Sequence, residues 1–517
     1  MKFFSSHATM AKQVILLQLL YFFHSIVASL DVGHNVTYLK SRDKLTEADQ
    51  LMHLGNKLKL NEKETIVNNL LMKAKHGELH RGLIHPVSFL PSSIFLKAKP
   101  FIEKSEVFQI IKRMPKGALL RSHIIGMVST AFLMDLTYMD NLFICFTNYS
   151  KAIRFKFAIN PPNSTVECGH WDLLNDLRLT WDYNDILWLN AKIESSFTLI
   201  VNKLKNLDVN AVWKNFQSIC ATLNGFLGYR PLLEKYLYQV FEECINDKIL
   251  HLEFSGTLPE TYELDGKLYS ELEIVGIYQT VAKLFQSKNP DFSVKFIYAP
   301  NRFVNGSTFD QYLKTVKSLH KYNPDFMSGF DLVGQEDLGV DLLEFADKLS
   351  QLKYVNFYFQ AGETNWNGMT DLNLFDAVLL GAKRIGHGYG ITKHPILMDF
   401  IQKNKIAIEV NPISNQIFNL VKDLRNHPAV ELFARDYPVV ITNDVPNLWG
   451  ANGLSYDFYE AFMAFTSYSD DIRVLKQLGI NSILYSAMSK SQKSRAMDLF
   501  NKQWYLFIDE MINSYIK

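Results

Sequence analysis

Four residues able to do chemistry stand at the ends of separate short apolar runs. His123 closes Ala118–His123, Glu363 follows Val355–Gln360, His387 closes Lys383–His387, and Asp444 follows Pro438–Asn443. Two imidazoles and two carboxylates delivered from separate runs are what a mononuclear metal hydrolase requires: metal ligands, an acid to move protons and a base beside a bound water. A single histidine in such a place often only satisfies a buried hydrogen bond, so the set points to chemistry more than any member does.

The elements that must position these groups have a regular order. Besides the runs already given, apolar runs recur at Ile249–Phe254, Val294–Tyr298, Ser328–Val333 and Ile406–Val410, which makes eight. Most are separated by stretches long enough for a helix. This is the α/β pattern of a (β/α)8 TIM barrel, in which functional residues gather at the C-terminal ends of the strands. Those ends read His123, Gly334, Gln360 to Glu363, His387 and Asp444.

The runs MPKGALL, EFSGTLPETYELDG, FDLVGQEDLG, QAGETNWNGMTDLNLFDAVLLGAKRIGHGY, EVNPISNQ and GLSYDFYEAF carry a resemblance. From about residue 30 to the C-terminus the chain resembles the adenosine deaminase-related growth factors, the secreted branch of the adenosine deaminase family. The resemblance implies a barrel that uses one zinc ion to replace the 6-amino group of adenosine by hydroxyl, giving inosine. It places His123 and Asp444 at metal-ligand positions, Glu363 where the purine is protonated, His387 where water is activated, and Gly334 where backbone meets the base. At three positions the chain departs from the pattern. Arg121 and Gln360 stand where the family has the other two histidine ligands, and Val445 replaces a purine-binding aspartate. Arginine keeps its proton, with a pKa above about 12, and a neutral amide is a poor zinc donor. Zinc is therefore expected to be absent or weakly held, and adenosine binding is in doubt. With the metal gone, Arg121 is expected to replace its charge by an ion pair to Asp444 or Glu363, with Gln360 donating its amide to the same cluster.

Of 517 residues just under half are apolar and the formal net charge is +1, so no basic patch suggests nucleic-acid binding. Residues 1–29 read as a signal peptide: Lys2 and Lys12 precede an apolar run from Val14 to Val27 and small residues at Ala28 and Ser29. A membrane anchor is the competing reading, but Gln18 and His24 interrupt the run and it falls short of the roughly 20 residues that span a bilayer. A secreted, extracellular location gives meaning to sequons at Asn35, Asn148, Asn163 and Asn305 as glycosylation sites. Four cysteines allow three pairings. The resemblance favours Cys145 with Cys168, leaving Cys220 and Cys244 as either two buried thiols or a second bridge.

Residues 30–113 read as a helical domain. Asn61 and Glu64 form a capping pattern ahead of Ile66, Val67, Leu70, Leu71 and Ala74 on one face. By resemblance this segment embraces a second subunit, giving a homodimer; periodicity alone equally allows packing on its own barrel. The barrel is assigned to residues 114–517, with an aromatic-rich insert at about 135–192. The insert is either a surface for a cell-surface receptor or proteoglycan, or a lid over the barrel mouth. Three functions follow: a catalytically silent growth factor or extracellular ligand, which the changed positions favour; a zinc-dependent adenosine deaminase with a rebuilt metal site; and a nucleoside-binding module without turnover.

Overall fold

A computed structural model describes residues 35–148, 152–199 and 207–516; the expected signal peptide lies outside them. Eight parallel strands form the barrel wall in two sheets. The first runs β1 (Gly117–His123), β5 (Ile249–Gly256), β8 (Ser293–Tyr298) and β9 (Met327–Phe330); the second runs β10 (Gln360–Ala361), β11 (Arg384–His387), β12 (Ala407–Val410) and β13 (Val439–Ile441). Parallel bridges Phe330 to Phe357 and Ser122 to Asp444 join the sheets at both seams, so the ring closes. The strands are buried along nearly their whole length, as parallel strands covered by helices must be.

Seven of the expected runs coincide with strands to within about three residues. The fifth differs. Regular pairing covers only Gln360–Ala361, although Val355–Gln360 was expected. The preceding residues still belong to the wall: Phe330 N–H donates to Asn356 O (2.9 Å), Tyr358 N–H to Phe330 O (3.0 Å) and Lys383 N–H to Phe357 O (2.8 Å). At the other end, β1 begins at a residue that must be glycine. Gly117 has φ +77°, and a Cβ there would lie 2.4 Å from Ser482 Oγ and 2.5 Å from Gly479 O.

Before the barrel come helices Asn35–Gln50 and Glu62–Ile84. The second begins with the expected capping box between Asn61 and Glu64. It buries Val67, Leu71 and Ala74, whereas Ile66 is exposed, because the contact face is shifted one residue toward Glu64 and Lys75. It packs on its own barrel. Glu64 accepts from Trp504 Nε1 (2.8 Å) and Lys476 Nζ (2.6 Å), and buried Lys75 donates to Thr466 Oγ1, Ser467 O and Asp470 O. In the first helix nearly every described side chain is exposed.

After β1 the insert forms an antiparallel sheet of β2 (Leu142–Phe146), β3 (Ile153–Phe157) and β4 (Asp172–Leu173), with β2 in the middle. Two short strands, β6 (Thr261–Tyr262) and β7 (Leu268–Tyr269), make a separate hairpin after β5. A disulfide joins Cys145 to Cys168 with Cα atoms 5.9 Å apart, and Cys220 and Cys244 are free thiols. No described helix is long and apolar enough to cross a membrane.

Candidate active site

The strand ends converge on one cavity of about 320 Å3, lined by His123, Gln360, Glu363, His387, Asp444 and Val445, with Gly334 at its edge. Helix Val209–Leu227 lies across it and contributes Trp213, Phe216 and Cys220. Trp213 stacks on Phe418 with centroids 4.2 Å apart, and Gln335 donates to Asn210 Oδ1 (2.6 Å), which ties this helix to loops of the barrel. The insert stands behind the same helix, with Phe155 against Phe226. The covering element is thus the helix after the insert, and the insert backs it.

Arg121 does not make the expected pair with Asp444 or Glu363. Its Nη1 donates to Asp331 Oδ2 at 2.7 Å and lies 3.6 Å from Glu409 Oε2, with all three side chains buried. The reason is reach. From β1 the side chain carries the guanidinium to Asp331 and Glu409 in the barrel interior, where Gly386 leaves room: a Cβ there would be 2.5 Å from Nη1. Glu409 also receives Arg384, which binds Glu253 at 2.9 Å, so two arginines and three carboxylates interlock through the interior. Burial opposes the Arg121 charge, but Asp331, Glu409 and Asp444 outweigh it and hold the guanidinium firmly protonated.

Gln360 fills several roles with one amide. Its Nε2 donates to Glu363 Oε2 (2.8 Å) and Gly334 O (2.9 Å), while its Oε1 accepts from Gly334 N–H and Arg121 Nη2, both at 3.3 Å. The expected donation into the carboxylate cluster is present, directed at Glu363. Gly334, expected to meet a base with its backbone, has both backbone groups engaged by Gln360.

Hydrogen bonds fix the protonation of His387 from a distance. Ala429 N–H donates to His427 Nδ1 (3.0 Å), so His427 carries its proton on Nε2 and gives it to Asn415 Oδ1 (3.0 Å). That orients the Asn415 amide N–H onto His387 Nδ1 (3.1 Å), which Asn411 Nδ2 also approaches at 3.4 Å. Nδ1 of His387 is therefore an acceptor, and the neutral ring carries its proton on Nε2, which has no partner among the described residues. Burial pushes His387 and His427 each down to about 3. Glu363 Oε1 lies 3.2 Å from His387 Nδ1. Burial, then the charges of Asp444 and Glu336, push the Glu363 carboxyl well above the usual range, and its Oε1 makes no hydrogen bond among the described residues, the Nδ1 lone pair being taken by Asn415.

Asp444 Oδ1 lies 3.3 Å from His123 Nε2, and Ser414 Oγ donates to Oδ2 at 2.8 Å. Burial would raise its pKa, but the His123 hydrogen bond and the charges of His123 and Arg121 hold it below the usual range. His387 and Asp444 both sit in the left-handed region, at φ +62° and +57°. Each costs on the order of 1 kcal/mol or more, and such strain concentrates at functional positions. Among the described residues no three His, Cys, Asp or Glu side chains are gathered to hold a metal ion.

Of the remaining expected residues, Asn148, Asn163 and Asn305 are exposed, and the side chain of Asn35 lies outside those described. Sequence reasoning missed Asp331, Glu409 and His427. The first two stand on strand runs as apparently ordinary barrel residues, and His427 acts only through Asn415. The signal for Asn411 and Asn415 was present in EVNPISNQ, directly after β12.

Arg121→Met should leave Asp331 and Glu409 short of a cation and cost about 3 to 5 kcal/mol in urea unfolding. Asp331→Asn should recover part of that loss in the double variant. A second expectation concerns pH. His427 is held neutral, below its ordinary value, so the unfolded chain binds a proton that the folded chain refuses; stability falls as pH drops from about 6.5 toward 3. His427→Gln should narrow the stability difference between pH 7 and pH 5 by about 2 kcal/mol, read from unfolding curves at both pH values.

The family model described as "Adenosine deaminase" matches residues 194–503, and that described as "Adenosine/AMP deaminase N-terminal" matches residues 17–111. The adenosine deaminase of Phlebotomus duboscqi is 44% identical over 465 residues, covering 89% of each chain. Adenosine deaminase 2 of Homo sapiens is 36% identical over 494 residues, covering 94% of this chain and 96% of that one. Among solved structures, a zinc-bound amidohydrolase from Burkhoderia ambifaria superposes with a TM-score of 0.56 at 16% identity, covering 79% of this chain and 95% of the other, a likeness of fold. With both modules matched in order and relatives similar along most of its length, the chain belongs to the adenosine deaminase family, on the side that includes adenosine deaminase 2.

Proposed function

We propose that this family member is a secreted, catalytically silent relative that acts outside the cell as a growth factor or ligand. The observation that carries this reading is the placement of Arg121. The resemblance assigns its position to a zinc ligand, yet it is a donor-only cation engaged by Asp331 and Glu409. The donor set does not fit the family's zinc. Arg121 has no lone pair to give, both atoms of the Gln360 amide are committed, and His123 and Asp444 supply two ligands where a catalytic zinc has three. His387 supports the same reading from another direction, because a general base needs a free lone pair where this ring presents an N–H. The exposed sequons and the Cys145–Cys168 disulfide suit a secretory protein.

A working deaminase is the second reading. It is favoured by the convergence of His123, Glu363, His387 and Asp444 on one cavity and by the names of the relatives. Metal analysis of purified protein, paired with an adenosine-to-inosine assay, separates the two. The expected result is substoichiometric zinc and no turnover; one tightly bound zinc per chain with deamination would sink the silent reading. Arg121→His with Gln360→His should gain zinc affinity, and deamination should require Val445→Asp as well.

A homodimer belongs to the same proposal. Tyr38, Leu39 and Leu45 are exposed on the Asn35–Gln50 helix, which supports a role in embracing a second copy. Sedimentation at micromolar concentration should report twice the chain mass, and a monomer there would count against it.

A further inference from the structure

The loop that follows β8 brings the sequon at Asn305 close to the edge of the cavity. Asn301 lines the cavity, and the wholly buried Arg302 donates through Nη2 to Leu332 O (2.9 Å) and Gln360 O (2.8 Å), so the loop is pinned into the wall beside the site. Next along the chain, Val304 is half-buried against the core, while Phe303 and Asn305 on either side of it are exposed, Phe303 to 42%. That alternation is the pattern of extended chain, in which residues two apart share a face, and Asn305 is itself extended at φ −85° and ψ 171°. Toward the barrel the Phe303 ring meets Gly334: a Cβ on that glycine would be 3.6 Å from Phe303 Cδ2.

Asn305 caps helix Gly306–Tyr322, and the cap settles which way its amide faces. Oδ1 accepts from Thr308 N–H (3.0 Å) and Ser307 Oγ (2.7 Å), so Nδ2, the atom that carries an N-linked sugar, donates to nothing among the described residues. Beside it is space, since a Cβ on Gly306 would meet nothing within 4 Å. Asn148 contrasts, its Nδ2 being given to Val166 O at 3.0 Å. We infer that Asn305 carries an N-linked glycan whose first sugar lies against the exposed face of Phe303, at the cavity rim beside Gly334. In the modification a bond forms between Nδ2 and the sugar C1, the C1–O bond to a lipid pyrophosphate donor breaks, and Nδ2 gives up one of its two protons. One face of a pyranose ring presents weakly positive C–H groups, and an aromatic face is negative and apolar, so the two fit. A sugar there covers the exposed ring and braces the loop that holds Gly334, and it leaves the helix cap intact. This inference rests on the reading that the chain is secreted, since only then does it meet the donor.

The test uses the full chain recovered from the medium of cultured eukaryotic cells. Peptide mass spectrometry should find glycan on Asn305. Ser307→Ala removes the sequon but keeps the capping asparagine. Making it in the native chain and again in Phe303→Ala isolates the coupling between sugar and ring, because the effect of the lost Ser307 hydroxyl is common to both. With Phe303 present, Ser307→Ala should lower the melting temperature by about 1 to 2 °C more than it does in Phe303→Ala. It should also speed amide exchange around Gly334 by about threefold more. Equal effects in the two backgrounds, in either readout, would overturn the proposal, because an exposed phenylalanine with no sugar on it predicts them. An unmodified Asn305 on a secreted chain would overturn this inference alone. A chain retained in the cell with every sequon bare would overturn the secreted reading and this one with it.

Discussion

Charge balance along the barrel axis constrains the rest of the molecule. Asp331, Glu253 and Glu409 point into the buried interior, and Arg121 and Arg384 supply the compensating cations. An isolated buried carboxylate costs several kcal/mol or takes up a proton. Glu409 shows the tension: burial pushes its carboxyl up despite Arg384 and Arg121 on either side. A cation lodged at Arg121 therefore serves the wall as well as the mouth, since Asp331 also accepts the backbone N–H of Gln360 and of Leu332. The charge network and the strand ends are one structure.

The same coupling explains how Gln360 shapes the cavity. One of its oxygens meets Arg121 from below, and its nitrogen meets Glu363 and Gly334 above. The one amide of Gln360 joins the ion network, the Glu363 carboxyl and the Gly334 backbone into a single set of bonds. Glu363 and His387 remain side by side, with His427 and Asn415 fixing which ring nitrogen of His387 accepts.

Much of this was legible in the sequence, and the failures have physical causes. Apolar runs and their spacing reveal parallel strands because a strand buried on both faces must be apolar throughout; hence seven strands were found nearly in place. The fifth was misjudged because Val355–Gln360 has the right composition while its pairing is irregular, which depends on neighbours and not on local pattern. Arg121 was recognisable as a misplaced cation, but its partner was not. Composition says that a carboxylate must be near; only side-chain length and the gap at Gly386 decide which one.

The seam where the barrel closes bears on how the chain is made. Ser122 meets Asp444 across a separation of 322 residues, and the backbone N–H of His123 finds its acceptor, Asp444 O, at the same place. During synthesis the first strand pairs with β5 on one side while its other edge stays open until nearly the whole chain has emerged. An open edge of parallel strand is a template for wrong pairing. Helix Ile472–Leu484 covers the base of this strand even later, through Ser482 and Ala118 N–H. A chain that has emerged only to a point before residue 444 thus has an unclosed barrel, with the outer edge of its first strand unpaired.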